Sequence, residues 1–78
     1  MDPRVTLLTR RACHLCDEAR EVVARVCAEE GVGFAERDVD SDPLALAQHG
    51  DFVPVVLVDG AVRGFWQIDA EALRAALR

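Results

Sequence analysis

Lysine is absent from this sequence, and all nine of its basic residues are arginine. Fourteen acidic residues outnumber them, for a net charge of −5. That balance lacks the basic excess of a nucleic-acid-binding domain and works against nonspecific phosphate binding. The missing lysine itself carries no functional reading. Long apolar runs are also missing, none approaching the roughly 18 residues of a membrane span. Met1-Asp2-Pro3-Arg4 has neither the basic start nor the apolar stretch of a secretory leader. A soluble, cytoplasmic protein is expected. Cysteine is scarce, at three residues, where a secreted disulfide scaffold would carry an even set of four or more. In a reducing compartment, a close pair is more often catalytic or metal-binding than structural.

What is present is a chain of 78 residues, half of them apolar, which argues for a packed core. Residues 1–78 are expected to form one domain and to be monomeric. A chain this short buries only about 60–65% of its unfolded surface, so its stability is modest.

The local patterns give an order of elements. Val5-Thr6-Leu7-Leu8-Thr9 is a β-prone run that Arg10-Arg11-Ala12 breaks. From about Cys13 the pattern turns helical, with Ala19, Val22, Val23 and Val26 at helical spacing and Gly31 as the stop. This helix should be the longest element. Phe34 to Val39 carries charge on both faces and fits an edge strand. Ser41-Asp42-Pro43 is a helix start, followed by a short helix over 44–49 that Gly50 ends. Pro54 to Val58 reads as a strand buried on both faces, and Asp59-Gly60 turns it into a hairpin with Ala61 to Phe65. Asp69 caps a last helix with Leu73, Ala76 and Leu77 on its apolar stripe. The order β-α-β-α-β-β-α makes the first two strands parallel, joined by a right-handed crossover, and the last two antiparallel. An α/β fold results, with a four-stranded mixed sheet flanked by three helices.

Chemistry concentrates at Cys13-His14-Leu15-Cys16, where the first strand gives way to the long helix. A thiol at a helix N-terminus meets unpaired amide N–H groups and the positive end of the macrodipole, both of which favour thiolate. Arg10, Arg11 and protonated His14 add to this, while Asp17 and Glu18 oppose it. The balance is expected to lower the Cys13 pKa. Depressed values in such motifs span about 3.5 to 7.5. Residues three apart on a helix are neighbours, so Cys13 and Cys16 can reach disulfide geometry. Cys13 is then the attacking thiolate and Cys16 the resolving thiol. Cys27 lies about 16 Å further along the helix at 1.5 Å per residue, too far to pair with either. It is expected to be a buried core cysteine.

The stretch from Val5 to Cys16 resembles the first strand and active-site turn of glutaredoxin-like proteins of the thioredoxin fold. Phe52-Val53-Pro54, the apolar strand after it and Asp59-Gly60 look like their cis-proline segment and final hairpin. The resemblance implies a cis Val53–Pro54 bond beside the cysteines, with the Val53 backbone pairing to substrate. It implies that Arg10 and Gly64 help hold substrate, Arg10 at a glutathione carboxylate. Two departures stand out. His14-Leu15 replaces the usual proline and aromatic residue, and Gly64-Phe65-Trp66-Gln67-Ile68-Asp69 keeps one glycine and a displaced acid where glutaredoxins carry Gly-Gly and adjacent acids. Trp66 is expected as a half-buried packing residue or a platform beside the site, and His49 as an ordinary surface residue.

The leading expectation is a thiol–disulfide oxidoreductase that reduces protein or glutathione-mixed disulfides. No tightly bound cofactor is expected. The reductant is glutathione or a thioredoxin-reductase-type donor. A second reading holds a metal or iron–sulfur cluster at Cys13, His14 and Cys16. A closed zinc site needs four ligands, so dimerisation or external thiols would have to complete it. A third reading is a thioredoxin-fold interaction module whose redox chemistry is incidental.

Overall fold

In the computed structural model, which describes residues 3–78, β-branched and leucine-rich runs form the centre of a four-stranded sheet. Met1 and Asp2 of the N-terminal tetrapeptide lie outside the described residues. The elements are β1 (Val5–Thr9), α1 (His14–Glu30), β2 (Phe34–Asp38), α2 (Pro43–His49), β3 (Val55–Val58), β4 (Ala61–Phe65) and α3 (Ala70–Leu77). Single 3-10 turns at Val39–Ser41 and Gly50–Phe52 flank α2.

The sheet order is β2-β1-β3-β4. β1 runs parallel to β2, with Val5 opposite Phe34 and Thr9 opposite Asp38. It runs antiparallel to β3, with Val5 opposite Val58. The charged β2 lies at an edge, as its sequence predicts, where polar side chains find water and discourage further strand pairing. β3 and β4 pair antiparallel across Asp59 and Gly60, whose φ values of 52° and 86° suit a tight hairpin. The register shifts between Val56, opposite Gly64, and Leu57, opposite Val62, leaving Arg63 as a bulge.

Strand side chains alternate between faces, so each central strand feeds two layers. Val5 and Leu7 of β1 join Val56 and Val58 of β3 beneath α1 and α3, packing with Ala19, Val23, Val26, Cys27, Leu73 and Leu77. Leu8 and Val55 point to the other face and meet Val39, with Ala45, Val53 and Leu57 around them. The second layer is thin because α2 has seven residues and buries none of them fully. Truncating Leu73, 2% exposed in the thicker layer, would cost about 2–5 kcal/mol.

The caps follow the predicted chemistry. Gly31 ends α1 in the left-handed region at φ 71°. The Asp42 carboxylate accepts from the Leu44 and Ala45 N–H groups, and Asp69 accepts from Glu71 N–H. Gly50 caps α2 after His49, as expected. It keeps right-handed angles of −56° and −34°, and the chain continues into the 3-10 turn. A Cβ there would stand 2.7 Å from Leu46 Cδ1, the far end of a flexible side chain, which would have to shift. Two differences concern β3, which begins at Val55 rather than Pro54 and leaves Leu57 partly exposed.

Candidate active site

The end of β1 and the start of α1 meet at Ala12, which takes φ 53°, an uncommon value for a residue with a Cβ. The next residue, Cys13, is the N-cap of α1. Its Sγ accepts the Cys16 N–H at 3.1 Å, the role a serine or aspartate oxygen fills at ordinary caps. Cys13 and Cys16 form a disulfide with their Cα atoms 5.1 Å apart. The two residues differ in exposure: Cys13 is partly exposed, whereas Cys16 is 1% exposed within the first turn. Cys27 is buried and free, as expected, and burial pushes its thiol pKa up.

The acidic side chains beside the pair are turned toward partners. Arg20 donates to Asp17 at 2.9 Å and to Glu36 through two nitrogens. The Arg20 hydrogen bonds hold the Glu36 carboxyl below its usual range and raise the arginine's own pKa. Glu18 stands 3.7 Å from His14 Nε2. Arg10 grips Asp40 at 3.0 and 3.3 Å. Cys13, Arg10, Arg11, Asp17, Arg20, Glu36 and Asp38 help to line a charged recess of about 300 Å³. Among the described residues Arg11 has no ion-pair partner.

On the neighbouring segment the Val53–Pro54 bond is cis, and Pro54 is buried. Val53 shares a second recess, of about 530 Å³, with Leu15, Phe65, Trp66 and Gln67. Leu15 belongs to the cysteine turn, so this recess joins that turn to the proline segment. Trp66 N–H is shared between Pro54 O at 2.8 Å and Phe52 O at 3.2 Å. The backbone of Val53 makes no backbone hydrogen bond outside the regular elements among the described residues.

The sequence-predicted residues are thus distributed as follows. Cys13 and Arg10 line the charged recess, Val53 lines the apolar one, and Pro54 is buried between β3 and the segment before it. Gly64 lies in β4 opposite Val56 and lines neither recess. Arg20, Glu36, Leu15, Phe52 and Phe65 had no assigned role in the sequence reading. Phe52, Phe65 and Trp66 fall within fifteen residues of a chain with four aromatics, a signal that could have marked them. Among the described residues no group of three His, Cys, Asp or Glu side chains converges on one point. A metal or cluster at the cysteines would therefore need ligands from outside the chain.

Known proteins agree with this arrangement. Residues 4–78 match the family described as Glutaredoxin-like domain (DUF836). Uncharacterized proteins of Mycobacterium bovis and Mycobacterium tuberculosis are 38% identical over 78 residues, covering 94% of this chain and 80% of theirs. The crystal structure of a structural-genomics target protein from X. campestris is 36% identical with a TM-score of 0.76, over 94% of this chain and 93% of that one. A solution structure of a Nitrosomonas europaea protein, 19% identical, shares the fold at a TM-score of 0.83, over 100% and 94% of the two chains. The Cys13–Cys16 pair fits a thiol-redox role. Matched from Arg4 to its last residue, the chain belongs to the glutaredoxin-like domain family, on a thioredoxin-like fold.

Proposed function

We propose that the protein is a thiol–disulfide oxidoreductase that reduces protein or glutathione-mixed disulfides through Cys13. The observation that carries this reading is the asymmetry of the pair. Cys13, at the N-terminus of α1, is partly exposed and its Sγ already accepts an amide hydrogen bond, while Cys16 is buried one turn in. The amide that meets the sulfur would stabilise it as thiolate.

In the reduced protein, the Cys13 thiolate attacks one sulfur of the substrate disulfide. A mixed disulfide forms, and the other substrate sulfur leaves as thiolate and takes a proton from solvent. Cys16 then gives up its proton and attacks Cys13 Sγ, releasing the second substrate thiol and closing the Cys13–Cys16 disulfide. Two electrons pass to the substrate. Two glutathione thiols, or a thioredoxin-reductase-type donor, return them. The unengaged Val53 backbone supports a short β-like pairing with the substrate chain beside Pro54. Arg10, held by Asp40, and Gly64, in β4, are further residues of the proposed substrate surface. The same roles in a reducing cytoplasm would make this a disulfide-repair activity.

The test is a pair of serine variants with a protein disulfide substrate. Cys13→Ser is expected to abolish reduction. Cys16→Ser should react once and accumulate a mixed disulfide through Cys13, visible by mass spectrometry. Full activity in the Cys13 variant contradicts the proposal. Turnover with glutathione against turnover with a thioredoxin-reductase-type donor identifies the reductant.

A further inference from the structure

Three of the chain's four aromatic residues stand at its surface in one cluster. Phe52, Phe65 and Trp66 are 45%, 48% and 51% exposed, whereas the buried residues of both core layers are aliphatic or cysteine. Leaving large rings in water forgoes the strongest stabilisation such side chains offer a small core. The arrangement is also built. Trp66 takes φ 62°, its backbone N–H is shared by two carbonyls, and its indole Nε1–H donates to Asp51 O at 3.3 Å. Its ring stacks on Phe52 at 6.3 Å, and Phe65 meets both rings edge-on.

We propose that Leu15, Phe65 and Trp66 form a side-chain subsite that selects polypeptide disulfides with an apolar residue beside the cysteine. The subsite rests on the oxidoreductase reading and names its preferred substrate. Two observations fix the occupant. The recess is continuous with the cysteine turn through Leu15 and with the open Val53 backbone, so a chain paired to Val53 carries its neighbouring side chain onto the rings. No ionisable residue lines the recess, so it offers nothing to the two carboxylates and the ammonium of glutathione. An apolar side chain there displaces water from the ring faces of Phe65 and Trp66, and Gln67 is the one polar side chain on the lining.

The experiment uses the pre-reduced protein in single turnover with two disulfide-linked peptides, one with leucine and one with serine beside the cysteine. A small symmetrical disulfide, 2-hydroxyethyl disulfide, serves as the control. The leucine peptide should react about tenfold faster than the serine peptide, the scale expected for partial burial of one aliphatic side chain. Trp66→Ala and, separately, Phe65→Ala should erase most of that preference while leaving the control within about twofold, with folding checked by circular dichroism. Equal rates for the two peptides, or an equal loss on all three substrates, overturns the subsite. A protein that reduces none of them overturns the oxidoreductase reading instead. The subsite is then read separately through the fluorescence of Trp66, the single tryptophan, during titration with unreactive peptides carrying serine in place of cysteine. Tighter binding of the leucine form supports it, and equal binding of the two forms overturns it.

Discussion

The two recesses that adjoin the Cys13-to-Cys16 turn are built from opposite materials. The one lined by Cys13 is charged and wired internally, with Arg20 holding Asp17 and Glu36 and Arg10 holding Asp40. The one lined by Leu15 is neutral, and backbone hydrogen bonds and ring contacts hold it instead. Free carboxylates beside a thiol oppose its ionisation. Arg20 pairs two of them, Asp17 and Glu36, while Asp38, on the same lining, accepts from the Asp40 N–H instead. The neutral recess carries no charge and can discriminate by shape, apolarity and the Gln67 amide. On the proposed reading, the charged recess bears on ionisation of Cys13 and the neutral one on an apolar neighbour of the substrate cysteine, so the two can be perturbed one at a time.

The largest expected effect comes from removing the residue on which both recesses depend. Cys13→Ser should lower disulfide reduction more than about a thousandfold while the thermal transition persists. Arg20→Met tests the charged side alone. Releasing Asp17 and Glu36 should slow the reaction of Cys13 with a small disulfide at neutral pH by roughly threefold, and added salt should restore part of the rate. The leucine-over-serine preference should not change. A changed preference would show that the two recesses are not independent.

Acid provides a third, smaller perturbation. The folded-state pKa of Glu36 is depressed by the Arg20 hydrogen bonds, and those of Glu30 and Asp59 are depressed by Arg78 and Arg4. A depressed carboxylate contributes stability above its unfolded value, about 4.3 for glutamate and 3.9 for aspartate, and loses it as pH falls through the folded value. Urea midpoints should therefore hold from pH 7 to about 5 and decline below about 4.3. Glu36→Gln should make that decline shallower. The smallest effect belongs to Arg10→Gln, since an exposed pair such as Arg10–Asp40 contributes under about 1 kcal/mol. A larger loss in urea would mean that the pair organises the charged recess beyond its own contact.

Most of the fold was legible because its signals are local. The five-residue run of β1, the helical spacing of Val22, Val23 and Val26, the Asp59-Gly60 hairpin and the Asp42 and Asp69 caps each act within a few residues. Cys13 and Cys16 were legible for the same reason. The cis Val53–Pro54 bond followed from family resemblance, since local preference favours trans. What surrounds the cysteines was not legible. Arg20 finds Glu36 across 16 positions and Arg10 finds Asp40 across 30, choices that depend on the β1–β2 pairing. Phe52 reaches Phe65 and Trp66 through the hairpin, and the bulge at Arg63 together with the left-handed Trp66 breaks the alternation that would have predicted their faces. Gly50 was legible as the end of α2, but the right-handed backbone that carries the chain into the next 3-10 turn was not.

The central claim is that Cys13 alone is the reactive thiol, and brief alkylation of the reduced protein tests it most directly. With iodoacetamide near pH 7 followed by peptide mass spectrometry, Cys13 should be modified first and faster than free cysteine. Cys16 and Cys27 should remain unmodified on the same timescale. Modification of Cys16 or Cys27 ahead of Cys13, or a Cys13 no faster than free cysteine, would contradict the account.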